Sequence, residues 1–156
     1  MLLGMMLEQA TRQTVSGFLE RRLWQPMGAE FAANWSLDRR HGFEKMESGI
    51  DAAPVDYLKL GGLVLRGGVR ADGVRLLPAA WIDAMTAPAG TEFLNYGYLW
   101  WRMARPDGPA DVYAAGIFGQ VLFVSRHRDT VILRTGNGEG GVDWPRTVRT
   151  IADALP

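Results

Sequence analysis

A serine nucleophile with a lysine base one helical turn further on would read Ser-x-x-Lys, the lysine lying close enough to help remove the hydroxyl proton. Ser16 is followed three residues on by Leu19, Ser36 by Arg39, Ser48 by Asp51 and Ser125 by Arg128, so no serine here has that partner. An arginine stays protonated at any working pH and does not substitute as a base. None of Tyr57, Tyr96, Tyr98 and Tyr113 is followed two on by Asn. The chain has no cysteine, which excludes disulfides, thiolate metal sites and a Cys nucleophile. His41 and His127 stand far apart in polar stretches and read as surface residues rather than as a metal pair or part of a triad. Asp38, Glu44, Asp51 and Asp56 have no paired-carboxylate spacing, and Asp56 is explained by the dipole of a helix opening at Pro54.

What stands out instead is a stretch with little titratable chemistry, Tyr113-Ala114-Ala115-Gly116-Ile117-Phe118-Gly119-Gln120, running into the alternating Val121-Leu122-Phe123-Val124. Gly116 and Gly119 remove side chains where a strand begins, which lets another backbone or a ligand approach closely. A second alternating run, Thr130 to Thr135, follows the polar Ser125–Asp129, so the pattern predicts a β-hairpin.

The elements around this stretch follow from pattern. Leu3, Met6, Leu7 and Ala10 form one helical stripe, and Val15, Phe18, Leu19 and Leu23 form another with Thr14 as its cap. Pro26 and Gly28 end that segment. Asn34–Asp38 is a short apolar-polar piece. A buried helix is expected from Pro54 through Leu65, with Gly61-Gly62 for close packing and Gly67-Gly68 as its stop. Asp72-Gly73 marks a turn, and Pro78 opens a short helix with Trp81, Ile82 and Met85, closed by Thr86–Gly90. Tyr96 to Met103 reads as one strand covered on both sides, Tyr98 and Trp100 sharing a face. After a Gly/Asn-rich loop, Trp144, Val148, Ile151 and Leu155 recur at helical spacing, a helix expected to lie on the sheet.

The order Tyr98-Leu99-Trp100-Trp101, then Ala115-Gly116-Ile117-Phe118-Gly119-Gln120, then a strand pair, a Gly/Asn-rich loop and a final amphipathic helix resembles the end of the penicillin-recognising serine hydrolases. These comprise class C β-lactamases, their esterase relatives and 6-aminohexanoate-dimer hydrolases. The likeness covers nearly the whole chain, Trp24–Gly28 resembling the family's Pro-Leu-Gly-Met helix end. It implies an α+β fold, an antiparallel sheet with flanking helices, as a partial β-lactamase/transpeptidase-like fold over a single domain, 1–156. It also implies that Ala114-Ala115-Gly116 occupies the strand of the family's third motif, without the Lys and hydroxyl of Lys-Thr-Gly. Arg134-Thr135-Gly136 ends the second hairpin strand and reads as a decoy with an exposed strand end.

The resemblance further implies that the backbone N–H of Ile117 is the oxyanion donor of this strand, with Ala115, Gly116, Phe118, Gln120, Tyr98 and Trp100 as substrate-binding candidates. Gln120 points either at the pocket or along a strand edge, and Tyr98, Trp100 and Trp101 either line an acyl pocket or belong to the core. Since Ser-x-x-Lys and Tyr-x-Asn do not occur, the expected function is an incomplete hydrolase of esters or amides. It would be inactive alone and completed by an N-terminal part; the alternative is a non-catalytic binding or scaffold module derived from that fold. An intact small enzyme with unrelated chemistry lacks a base, nucleophile or metal set to carry it.

Composition narrows the partners. Seventeen basic and 17 acidic side chains give zero formal charge, without the basic footprint that nucleic acid or an anionic membrane requires. No cofactor is expected. The apolar start Met1–Leu7 lacks a basic n-region and a cleavage site, so neither a signal peptide nor a membrane span is expected, and the chain reads as cytoplasmic as it stands. Self-association is expected of strands built to have neighbours.

Overall fold

The computed structural model describes residues 1–88 and 95–156 and divides into two compact units, Met1–Asp56 and Tyr57–Pro156. In the first unit, α1 (Leu2–Thr11) ends at Arg12 in the left-handed conformation, and α2 (Val15–Leu19) starts at Thr14, whose hydroxyl accepts from the Gly17 N–H as expected. α2 continues as a π-helical segment, Glu20–Trp24, and the chain turns at Gly28 with φ 83°. The expected stripe on α1 is open: Leu3 is 81% and Met6 59% exposed, whereas Gly4 is buried against Met46. Two short strands, β1 (Asn34–Trp35) and β2 (Ile50–Asp51), pair antiparallel. Asp56 does more than complement a dipole. Fully buried, it accepts from the N–H groups of Glu30 (2.8 Å) and Phe31 (3.1 Å) and so fixes the chain after Gly28.

The boundary between the units falls inside α3 (Pro54–Leu65), which ends at Gly67 and Gly68, both at positive φ. α4 spans Ala79–Thr86 with Pro78 as its N-cap; Ala89 and Gly90 of the expected helix stop lie outside the described residues. An antiparallel meander follows: β3 (Tyr96–Gly97), β4 (Trp100–Met103), β5 (Asp111–Gly116), β6 (Gln120–Ser125) and β7 (Thr130–Arg134). α5 covers Trp144–Ala154.

Side chains alternate between the sheet's two faces. Trp100, Val112, Leu122 and Val124 pack with Val64 of α3, and Val121 and Phe123 pack with Val148 and Ala152 of α5. β6 is therefore covered on both sides, which accounts for its unbroken apolar run. A Cβ at Gly61 would stand 2.5 Å from Val131 and 3.0 Å from Leu122, so the close packing expected of this glycine is realised. On α5 the buried face uses Val148 and Ala152, while Ile151 and Leu155 are exposed.

Two strand readings are corrected. Tyr96–Met103 is not one strand but a tight hairpin, Gly97 pairing with Trp100 across Tyr98 (φ 45°) and Leu99 (φ 70°). Positive φ at both central residues is the primed-turn geometry that suits strand twist, here without the usual Asn or Gly. Tyr98 and Leu99 are consequently exposed rather than covered. Likewise Gly116 does not stand where a strand begins: it ends β5, and the chain reverses before β6 starts at Gln120.

Candidate functional site: a glycine-flanked reversal at one end of the sheet

The reversal spans Ile117–Gln120. The Gln120 N–H donates to the Ile117 carbonyl, and Phe118 (φ 61°) and Gly119 (φ 77°) are both left-handed. The register ends at Gly116 opposite Gln120, so Ile117 lies just past the last pair. As the first residue of a helical turn, its N–H has no acceptor within the turn. Ile117 is 70% and Phe118 54% exposed, and Ala115 and Gly116 are exposed as well.

The two glycines have different reasons to be there. Gly119 needs its positive φ and is buried, and a Cβ on it would stand 2.5 Å from Arg134 Nη1 and 2.9 Å from Trp144 Cδ1. Gly116 has φ −124° and ψ 170°, open to any residue, and a Cβ there would meet only Gln120, at 3.3 Å. The fold therefore does not demand glycine at 116; what its lack of a side chain provides is an open approach to the backbone.

The other candidates separate. β4 pairs antiparallel with β5, Trp101 opposite Tyr113, so the start of β4 lies at the same end of the sheet as the end of β5. The Tyr98–Leu99 turn thus shares the end of the sheet with Gly116–Gly119, and the Tyr98 ring meets Trp81 edge-on at 5.2 Å. Trp100 is buried in the core beneath α3. The Gln120 amide is engaged by backbone: Nε2 donates to the Gly136 carbonyl, and Oε1 accepts from the Gly136 N–H at 3.1 Å. Neither of the two orientations considered for Gln120 includes this bond, which ties the reversal to the loop after β7.

Arg134 is not an exposed strand end. It is half-buried, donating to the carbonyls of Phe118 (2.9 Å), Gly119 (2.7 Å) and Gly138 (3.0 Å), with its guanidinium 3.9 Å from the centre of the Trp144 ring. Sequence reasoning passed over it, although strand alternation puts Arg134 on the same face as Ile132, the face α5 covers. His127 lies beside Gly108, and His41 is exposed. Among the described residues, no group of three or more His, Asp or Glu side chains is placed to hold a metal ion, and no helix is long and apolar enough to cross a membrane.

The Tyr57–Pro156 unit is thus three-layered, a five-stranded antiparallel meander between α3 and α5, with an aromatic hairpin turn and a glycine-flanked reversal at one end of the sheet. The sequence model of the β-lactamase family matches residues 1–155, and the chain belongs to that family. Among solved structures, a Bacillus anthracis protein assigned as a 6-aminohexanoate-dimer hydrolase superposes with a TM-score of 0.80 at 20% identity, over 97% of this chain and 40% of that one. A Bacteroides dorei protein assigned as a β-lactamase superposes with a TM-score of 0.68 at 14% identity, over 96% of this chain and 55% of that one. At such identities the likeness is one of fold, the partial β-lactamase fold expected from sequence, and the chain spans about half or less of either protein. No curated protein sequence matches the chain.

Proposed function

We propose that this chain forms the oxyanion-side wall of a serine-hydrolase acyl site for a small ester or amide, and that it has no turnover alone. The observation that carries this is the reversal after Gly116. It leaves Ile117 exposed at the first position of a turn, with its N–H outside the turn's own hydrogen bonds and no side chain at 116 to obstruct a substrate carbonyl. A backbone N–H held so is suited to the charge that develops on the carbonyl oxygen in a tetrahedral intermediate. The second donor of such a hole is the nucleophile's own N–H, and the nucleophile and base would come from a segment carrying Ser-x-x-Lys and Tyr-x-Asn. Tyr98, in the turn at the same end of the sheet, would flank the acyl group, whereas Trp100 and Gln120 act through packing and loop anchoring.

The same reading supports a non-catalytic binding module, since this sequence contains neither activating motif. Hydrolysis of a chromogenic ester or cephalosporin by the purified chain tests the absence of turnover that both readings require. No turnover, with or without a serine-directed phosphonate, is expected. Hydrolysis that the phosphonate abolishes in proportion to active sites would overturn the proposal.

A further inference from the structure

We propose that Arg134 is the positioning residue of the Ile117 amide, a latch that holds the Gly116–Gly119 reversal from behind. The inference rests on the reading of Ile117 as oxyanion donor for its purpose, but not for its geometry. One nitrogen, Nη1, donates to two successive carbonyls, Phe118 and Gly119, on the two residues whose φ is positive. A left-handed phenylalanine is unfavourable by itself, so the turn needs an outside constraint. The second nitrogen donates to Gly138, joining the reversal to the loop after β7, and Gln120 with Gly136 makes a parallel link.

The latch has its own seat. The guanidinium lies over the Trp144 ring, and the Trp144 indole N–H donates to the Glu139 carbonyl at 2.7 Å, so the ring is fixed from both sides. Glycine at 119 and 136 is what allows the guanidinium to lie there, because a Cβ at either position would collide with Nη1. Arginine's planar fork reaches several acceptors at once, which a lysine ammonium on a flexible stem does not reproduce.

The test uses the full chain with Arg134→Met and Arg134→Lys, read by amide hydrogen exchange. The reporters are the Gln120 N–H, bonded to Ile117, and the Gly136 N–H, bonded to Gln120; Phe123 and Val124 serve as core controls. Charge-assisted hydrogen bonds are strong enough that losing them should speed exchange at both reporters by about tenfold or more in Arg134→Met. The controls should not change, Arg134→Lys should fall between, and added methylguanidinium should restore protection in Arg134→Met. Unchanged exchange at the reporters, or equal acceleration at reporters and controls, would overturn the latch. In a hydrolase assembled from this chain and a segment supplying Ser-x-x-Lys and Tyr-x-Asn, Arg134→Met should lower kcat and leave KM unchanged. A parental kcat in that variant would overturn the positioning role. If the parental assembly itself shows no turnover, the proposed function fails, and the exchange result still decides whether Arg134 holds the turn.

Discussion

Replacing Gly119 and Gly116 by alanine in turn should have sharply unequal effects on stability. At Gly119 the φ of 77° is retained only at a cost of about 1–2 kcal/mol for a residue with a Cβ. The added carbon, 2.5 Å from Arg134 Nη1 and 2.9 Å from Trp144, forces local repacking worth a further ~1–3 kcal/mol. Reduced freedom of the unfolded chain returns about 0.4–1 kcal/mol. The net loss for Gly119→Ala is therefore roughly 1–4.5 kcal/mol, centred on about 3. At Gly116 the backbone is extended and the nearest atom is the Gln120 Cβ at 3.3 Å, so Gly116→Ala should change stability by no more than about 0.5 kcal/mol. Urea unfolding followed by tryptophan fluorescence reads both, as a shift of midpoint at constant slope. Equal midpoints for the two variants would refute the assignment of Gly119 as the glycine the fold requires and Gly116 as the one it does not.

Asp111 is fully buried, 2.9 Å from Arg105 and 3.4 Å from Arg149, so Asp111→Ala should leave the buried Arg105 guanidinium with the partly exposed Asp153 at 2.8 Å as its counter-charge and cost about 3 kcal/mol, the low end for breaking a buried pair, in the same urea assay. Burial pushes the Glu44 carboxyl up, but the Ser16 hydroxyl bonded at 2.6 Å and further hydrogen bonds outweigh it and hold it below the ordinary 4.5. A lowered folded value means the carboxylate's contribution is complete above pH 4.5 and is lost as pH falls below it; Glu44→Gln should flatten that part of the stability profile. The chain should also self-associate with rising concentration, as Leu2, Leu3, Leu99 and Ile117 are each at least 70% exposed, and light scattering should give a mass that grows on concentration.

Much of the fold was legible because it rests on periodicity. Val121–Val124 and Thr130–Arg134 alternate, Thr14 caps its helix, and Gly61 lies where Val131 needs room. The Tyr98–Leu99 turn was not legible, since neither residue is one that favours positive φ and the aromatic run around them reads as strand. At the candidate site the glycines were visible but their roles were not. Only the backbone angles separate Gly119, which the turn requires, from Gly116, which it does not. Arg134 was set aside because sequence offers its charge and not its acceptors, which are carbonyls brought near by the reversal.

The central claim is that this reversal presents an oxyanion donor, and the rate of a hydrolase assembled from this chain and a segment carrying Ser-x-x-Lys and Tyr-x-Asn tests it most directly. Gly116→Val places a branched side chain on an extended, exposed position beside the Ile117 amide, where the fold tolerates it. The account predicts an unchanged melting profile and a fall in kcat of roughly a hundred- to a thousand-fold, the usual effect of losing one oxyanion donor. A variant that folds as the parent and turns over at the parental rate would contradict it.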